Sequence, residues 1–186
     1  MCEKKRKIFV LSGPSGSGKN TVFDGLMKLN SSIAHTVSVT TRQPRTNEID
    51  GIDYYFVSKE EFIDKINNDE FIEYVNYGDN YYGTLKSEVT RLTDAGKIVI
   101  LVIEVRGAAS IKKVFSDAKS IFIYPPSLDE LANRLKSRGQ NTEEEIQTRL
   151  SIAEEEMKLK DSYDFAVVND DIDICIENIN SILDKE

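Results

Sequence analysis

KIFVLSGPSGSGKNT, residues 7–21, decides the fold. Four apolar residues, Ile8 to Leu11, run directly into a loop with glycines at 13, 16 and 18 that ends in Lys19. An apolar strand opening into glycines, with a helix-like stretch over 21–29 behind it, matches the spacing G-x-x-x-x-G-K of a phosphate-binding P-loop. Glycines let the backbone wrap until its N–H groups converge on phosphate oxygens, and the helix that follows turns its positive end to the same anion. Gly13, Pro14, Ser15, Gly16, Ser17, Gly18, Lys19, Asn20 and Thr21 are therefore the candidate triphosphate-binding residues, with Lys19 reaching the β- and γ-phosphates. The motif usually continues with Ser or Thr as a magnesium ligand, whereas here the residue is Asn20. The amide oxygen of Asn20, the hydroxyl of Thr21 or a water can take that position, and the sequence leaves the three open.

The chain around this loop has 186 residues, 40% of them apolar, enough for one compact domain with a real core. Its 24 Lys and Arg against 32 Asp and Glu give a net charge of −8, which excludes the broad basic field of a general nucleic-acid binder. Any anionic ligand must then be held by local positive charge. Cys2 and Cys175 lie too far apart in the sequence to suggest a metal-ligand spacing or a disulfide framework. The apolar run after MCEKKRK is far shorter than the core of a secretory leader, and no stretch is long enough to span a membrane. The expectation is a cytoplasmic protein, without a membrane or nucleic-acid partner, acting as a monomer or homodimer.

Strands are predicted over 7–11, 36–39, 54–57, 71–77, 98–103, 120–124 and 165–168. Ile98 to Ile103 is apolar without alternation, as befits a strand covered on both faces of a parallel sheet. Helix starts are marked by Ser58 with Glu61, Ser127 with Glu130 and Thr142 with Glu145, each spaced as a capping box. Beyond Asp171, Ile172, Ile176, Ile179 and Leu183 share one helical face. These elements predict an α/β fold: a three-layer P-loop core with a parallel sheet. The stretch 40–82, rich in Tyr, Asn, Asp and Gly, reads as an inserted lobe of short strands and one helix.

That lobe has to name the acceptor, because a P-loop alone serves motors, GTPases and small-molecule kinases alike. Thr40-Thr-Arg42-Gln-Pro-Arg45 places two arginines around a stiffening proline, which suits either two guanidinium groups on one phosphate or a solvated basic turn.

The motifs GPSGSGK, VSVTTRQPR, GIDYYFV, EFIEY, NYYGT, EVRGA, PPS, RLKSRG and VVNDD follow one another between about residues 8 and 171. In that order they resemble the guanylate kinase family. The resemblance implies a core (1–36, 86–124 and 158–186), a GMP-binding lobe (37–85) and a helical lid (125–157), transferring the γ-phosphoryl group of ATP to GMP, or dGMP, with Mg²⁺. It implies that Arg42, Arg45, Tyr54 and Tyr82 hold the GMP phosphate and that Ser38, Glu73, Thr84 and Glu104 surround guanine. It also implies that Asn169 lies near the adenine, where a helix cap explains the residue equally well. Guanine offers N1–H and an exocyclic amine side by side, so a carboxylate such as Glu73 can accept both, whereas adenine has no N1–H.

Such a transfer needs no histidine base, because the acceptor phosphate is already ionised; alignment and charge neutralisation suffice. Lys19, Arg42, Arg134, Arg138 and Arg149 are the candidate catalytic residues. Arg134 and Arg138 stand i,i+4 on one helix and Arg149 on the next, as a closing lid or as a solvated charged face. Tyr55, Tyr74 and Tyr81 read as packing, and His35 as structural or exposed. The chain departs from the family at Val102, where an acid two residues before Glu104 is usual, and at Arg106, where glutamine is common. On a strand, residues 102 and 104 share a face, so the departure at Val102 removes an acidic partner near the metal or GMP. An inactive guanylate-kinase-like interaction module and a kinase for another small phosphorylated substrate are the rival readings.

Overall fold

The structure is a computed structural model and describes residues 6–137 and 142–186, without the side chains of Arg106 and Ala109. Its centre is a five-stranded sheet in the order β2-β7-β1-β8-β9, formed by β1 (Ile8–Ser12), β2 (Ile33–Ala34), β7 (Ile98–Val102), β8 (Lys119–Tyr124) and β9 (Phe165–Val168). Every pairing in it is parallel.

Alternation along these strands builds the layers. Phe9 and Leu11 of β1, with Ile98 and Ile100 of β7, face a core completed by α1 (Lys19–Leu29) and α7 (Ile172–Lys185). Ile8, Val10, Val99 and Leu101 face the opposite core, under α3 (Lys86–Asp94) and α4 (Val105–Val114). Both faces are covered, which is why β7 carries no polar alternation. On α7 the predicted apolar face includes the buried Cys175, whose thiol burial pushes up to about 11.

A second sheet, β4-β3-β6-β5, holds β3 (Val39–Thr40), β4 (Tyr55–Phe56), β5 (Phe71–Tyr77) and β6 (Asn80–Leu85), and α2 (Lys59–Asn67) packs on it. Phe62 of α2 is fully buried and stacks on Phe71 at 4.4 Å and Tyr81 at 5.3 Å, aromatic pairs worth about 0.5–1.5 kcal/mol each beyond their buried area. Tyr55 and Tyr81 pack as predicted, while Tyr74 meets Phe62 edge-on and Phe71 at a tilt yet stays half exposed. Helices α5 (Leu128–Ser137) and α6 (Glu143–Met157) form a small core of their own around Leu131, Leu135, Ile146 and Ala153.

Several boundaries differ from prediction. The strand expected at 36–39 is β3, at Val39–Thr40, and β7 stops at Val102. Val102 and Glu104 therefore do not share a strand face: Glu104 stands at the N-cap position of α4, without a side-chain capping hydrogen bond. The capping boxes at Ser58 and Thr142 form completely. The third forms by half, because Ser127 Oγ accepts the Glu130 N–H at 3.1 Å while the Glu130 carboxylate accepts from Arg134 Nε at 2.9 Å. Among the described residues no helix is long and apolar enough to cross a membrane.

Candidate active site

The loop between β1 and α1 lies at the carboxyl end of the central sheet, and its glycines are required by their surroundings. A Cβ on Gly13 would run into the Ile123 carbonyl oxygen, and one on Gly18 into the Asn169 side-chain amide. Gly18 also has φ 95°, a left-handed conformation costly for other residues, and it turns the chain straight into α1. Lys19 is the first residue of that helix. Its Nζ donates to Gly13 O at 2.6 Å and Pro14 O at 3.3 Å and stands 3.4 Å from Glu104 Oε1. A buried ammonium folded over carbonyls and one carboxylate is a cation in wait for stronger acceptors. Ser15, Gly16, Gly18, Lys19, Asn20, Thr21 and Glu104 line one cavity of about 140 Å³ at this point.

Asn169, after β9, is 4% exposed and its Nδ2 donates to Ser17 O at 2.7 Å. Arg134 Nη2 donates to Asn169 O at 2.9 Å, so α5 is tied to the back of the loop. Arg149 Nη1 reaches across from α6 to Ser15 Oγ at 3.0 Å. Arg134 and Arg149 thus converge on the loop's surroundings, while Arg138 lies outside the described residues.

A separate cavity of about 430 Å³ opens between the two sheets. Glu73 and Thr84 line it from the second sheet and Ser38 from the chain just before β3, Asn20, Phe23 and Asp24 from α1, and residues 100–103 from the end of β7. Glu73 and Thr84 are register partners across β5 and β6, and Thr84 Oγ1 donates to Glu73 Oε1 at 2.8 Å. One carboxylate oxygen is held in this way and the other is left to accept from a ligand. His35 also lines this cavity, its ring 5.6 Å from Phe23, a placement that its isolated position in the sequence did not signal. The structure brings Ser38, Glu73 and Thr84 together and sets Glu104 apart from them, beside Lys19.

Arg42, Tyr54 and Tyr82 form a third group. The Arg42 guanidinium lies 5.5 Å from the centre of the Tyr54 ring, and Tyr54 and Tyr82 meet edge to face at 6.1 Å. Glu48, which the sequence reading passed over, accepts from Arg42 Nη2 at 2.7 Å. That hydrogen bond raises Arg42 above its ordinary value against desolvation, and the Tyr82 hydroxyl adds to it. Arg45 is exposed, and its backbone N–H donates to Glu48.

Behind the second sheet, Glu88 of α3 is 3% exposed. Burial would raise its carboxyl, but hydrogen bonds from Arg91, the Val37 N–H and Tyr55 outweigh burial and hold it below the usual range. Tyr55 belongs to the second sheet and Glu88 to the core, so this buried carboxylate pins one to the other.

Comparison with known proteins finds the same identity along the whole chain. A sequence model of the family described as guanylate kinase matches residues 5–186. The chain is 45% identical over 186 residues to the guanylate kinase of Clostridioides difficile, covering all of this chain and 91% of that one. It is 46% identical over 183 residues to that of Clostridium tetani, covering 98% and 88%. Among solved structures, the guanylate kinase of Anaplasma phagocytophilum superposes with TM-score 0.68 at 35% identity, covering 100% of this chain and 88% of that one. The shikimate kinase of Bacteroides thetaiotaomicron, at 13% identity, TM-score 0.51 and coverage of 95% and 97%, shares the fold alone.

Proposed function

The chain belongs to the guanylate kinase family and is an ATP:GMP phosphotransferase; we propose how its own residues carry that reaction. The observation that supports the reading best is the pairing of an intact phosphate loop with a cavity whose wall carries Glu73 held by Thr84 at 2.8 Å. In this reading the lobe 37–85 takes GMP, the lid 125–157 closes over ATP, and the remainder is the core.

The loop amides of residues 13–19 and the start of α1 receive the β- and γ-phosphates, and Lys19 exchanges its loop carbonyls for phosphate oxygens. Asn169 and the Arg134 that holds its carbonyl shape the adenine end. Ser38, Glu73 and Thr84 take the guanine edge, and Arg42, Arg45, Tyr54 and Tyr82 take the GMP phosphate, which orients the acceptor oxygen. Glu104 borders both the loop and the end of β7, so its carboxylate serves the gap between donor and acceptor. Arg149, with Arg138, supplies charge from the lid as water is excluded. The acceptor is already an anion, so positioning and electrostatics carry the rate.

The cavity at the loop also fits a magnesium ion. Mg²⁺ is a hard cation that takes one or two protein oxygens and keeps waters and phosphate oxygens for the rest. Asn20, Thr21 and Glu104, which line that cavity, carry side-chain oxygens of that kind. When bound, the ion supplies charge neutralisation at the β- and γ-phosphates. Asn20→Ser is then expected to shift the Mg²⁺ concentration for half-maximal rate while leaving GMP affinity within about twofold. A Mg²⁺ titration that superposes on the wild type would remove Asn20 from the metal's surroundings.

The function is tested by ADP release from ATP in the presence of GMP, dGMP, AMP, UMP or IMP. GMP and dGMP are expected to support turnover well above the others. Release with none of the five would sink the assignment, and preference for AMP would sink the guanine pocket. The acidic net charge and the absence of a spanning helix among the described residues support a cytoplasmic enzyme acting on free nucleotides.

A further inference from the structure

We propose that Glu48 is a positioning residue for the GMP phosphate, fixing Arg42 and the backbone at Arg45 before the substrate arrives. The proposal rests on the reading that these two arginines bind that phosphate.

One carboxylate closes both ends of Arg42-Gln-Pro-Arg45. Its Oε1 accepts from Arg42 Nη2 at 2.7 Å and its Oε2 accepts the Arg45 N–H at 2.7 Å. Both side chains of the ion pair are only 18% exposed, so solvent screens the pair less than it does a surface bridge. The guanidinium also lies against Tyr54 and Phe56, at 5.5 and 5.9 Å from their ring centres, and its Nη1 donates to Gln43 O at 2.8 Å. Beyond these two bonds the guanidinium carries a second N–H on each terminal nitrogen and its Nε–H, a set of donors from which a phosphate oxygen can be served.

Other carboxylates in this loop do different work. Asp50 accepts the Phe56 N–H at 2.9 Å and Asp53 the Ile49 N–H at 2.7 Å, so they shape backbone turns. Glu48 combines such a turn contact with an arginine head group. An arginine stem that must find its rotamer on binding loses conformational freedom, and a prepositioned one has lost it already. Opposing this, a carboxylate beside the phosphate site repels the incoming dianion. The two effects have opposite signs in the affinity for GMP, which makes the proposal testable.

Glu48→Ala and Glu48→Gln are assayed for steady-state kinetics and for inhibition by guanosine, which carries the base without the phosphate. In Glu48→Ala the KM for GMP is expected to rise about tenfold, with kcat changed by less than about threefold and the KM for ATP unchanged. Glu48→Gln, which retains an amide oxygen as acceptor, should recover part of that loss. The guanosine inhibition constant should stay at the wild-type value in both. An unchanged or lower KM for GMP in Glu48→Ala would overturn the proposal, as would a guanosine constant that weakens in parallel, since general damage to the lobe affects base and phosphate alike. A wild type inactive with GMP would remove the underlying function as well; an active wild type with an indifferent Glu48→Ala removes the positioning role alone.

Discussion

Lys19→Met is expected to lower kcat by about 10²- to 10³-fold, the loss typical of removing one preorganised donor from a developing anionic charge. The KM for GMP should stay within about twofold, because Lys19 faces the phosphate loop and not the cavity lined by Glu73. Lys19 is 8% exposed, and its ammonium sits among the Gly13 and Pro14 carbonyls with Glu104 at 3.4 Å. A triphosphate replaces those weak acceptors with anionic oxygens, and the charge on those oxygens redistributes as the phosphoryl group leaves. Methionine keeps a flexible stem for packing and removes only the cation, so the circular dichroism spectrum should match the wild type. A kcat reduced less than about tenfold in a folded Lys19→Met would place the charge stabilisation on the lid arginines instead.

The phosphate loop, the both-faces-buried β7 and the three capping boxes, two of them complete and one formed by half, were legible because each shows in a short run of sequence. Gly18 must be glycine because of its own φ, and Ser58 finds Glu61 three residues on whatever the rest of the chain does. β2 and β6 were not predicted. β2 has two residues and exists because Ile33 and Ala34 pair with Ile98 and Val99, a register set by distant sequence. β6 contains Gly83, which reads as a turn signal, yet a Cβ there would meet the Phe71 ring at 2.8 Å and the Glu73 carbonyl at 2.9 Å. The glycine marks close approach of β5, which no local pattern reveals. At the site, residue types that fit the chemistry were found wherever a motif carried them. Glu48 drew no reading and His35 only a structural one, because an acid in a polar loop and a lone histidine are each common, and their significance comes from what the fold sets beside them. Val102 shows the reverse: a strand run to residue 103 put it on a face with Glu104, whereas the chain leaves the strand at Val102 and Glu104 turns to Lys19.

Glu73→Gln should reduce kcat/KM for GMP by about 10³-fold while sparing the KM for ATP, since a site built for polar partners loses heavily when one is left unpaired. Thr84 Oγ1 occupies Oε1 at 2.8 Å and thereby orients the carboxylate plane. A carboxylate presents acceptors to both adjacent guanine donors, N1–H and the exocyclic amine, whereas glutamine offers one oxygen and sets an N–H against the other donor. The Thr84 hydroxyl can accept as well as donate, so the glutamine amine has a partner there and the oxygen can still face one guanine donor. Discrimination should therefore collapse more than binding does. IMP lacks the exocyclic amine, so it has one donor fewer to lose, and the preference for GMP over IMP should fall toward unity in Glu73→Gln. A GMP preference that survives the substitution would refute Glu73 as the selecting group even if overall activity dropped, because loss of rate alone also follows from a disturbed β5–β6 pair. The ratio isolates the base edge, and in the proposed reading the Glu73–Thr84 register is what aims the carboxylate at it.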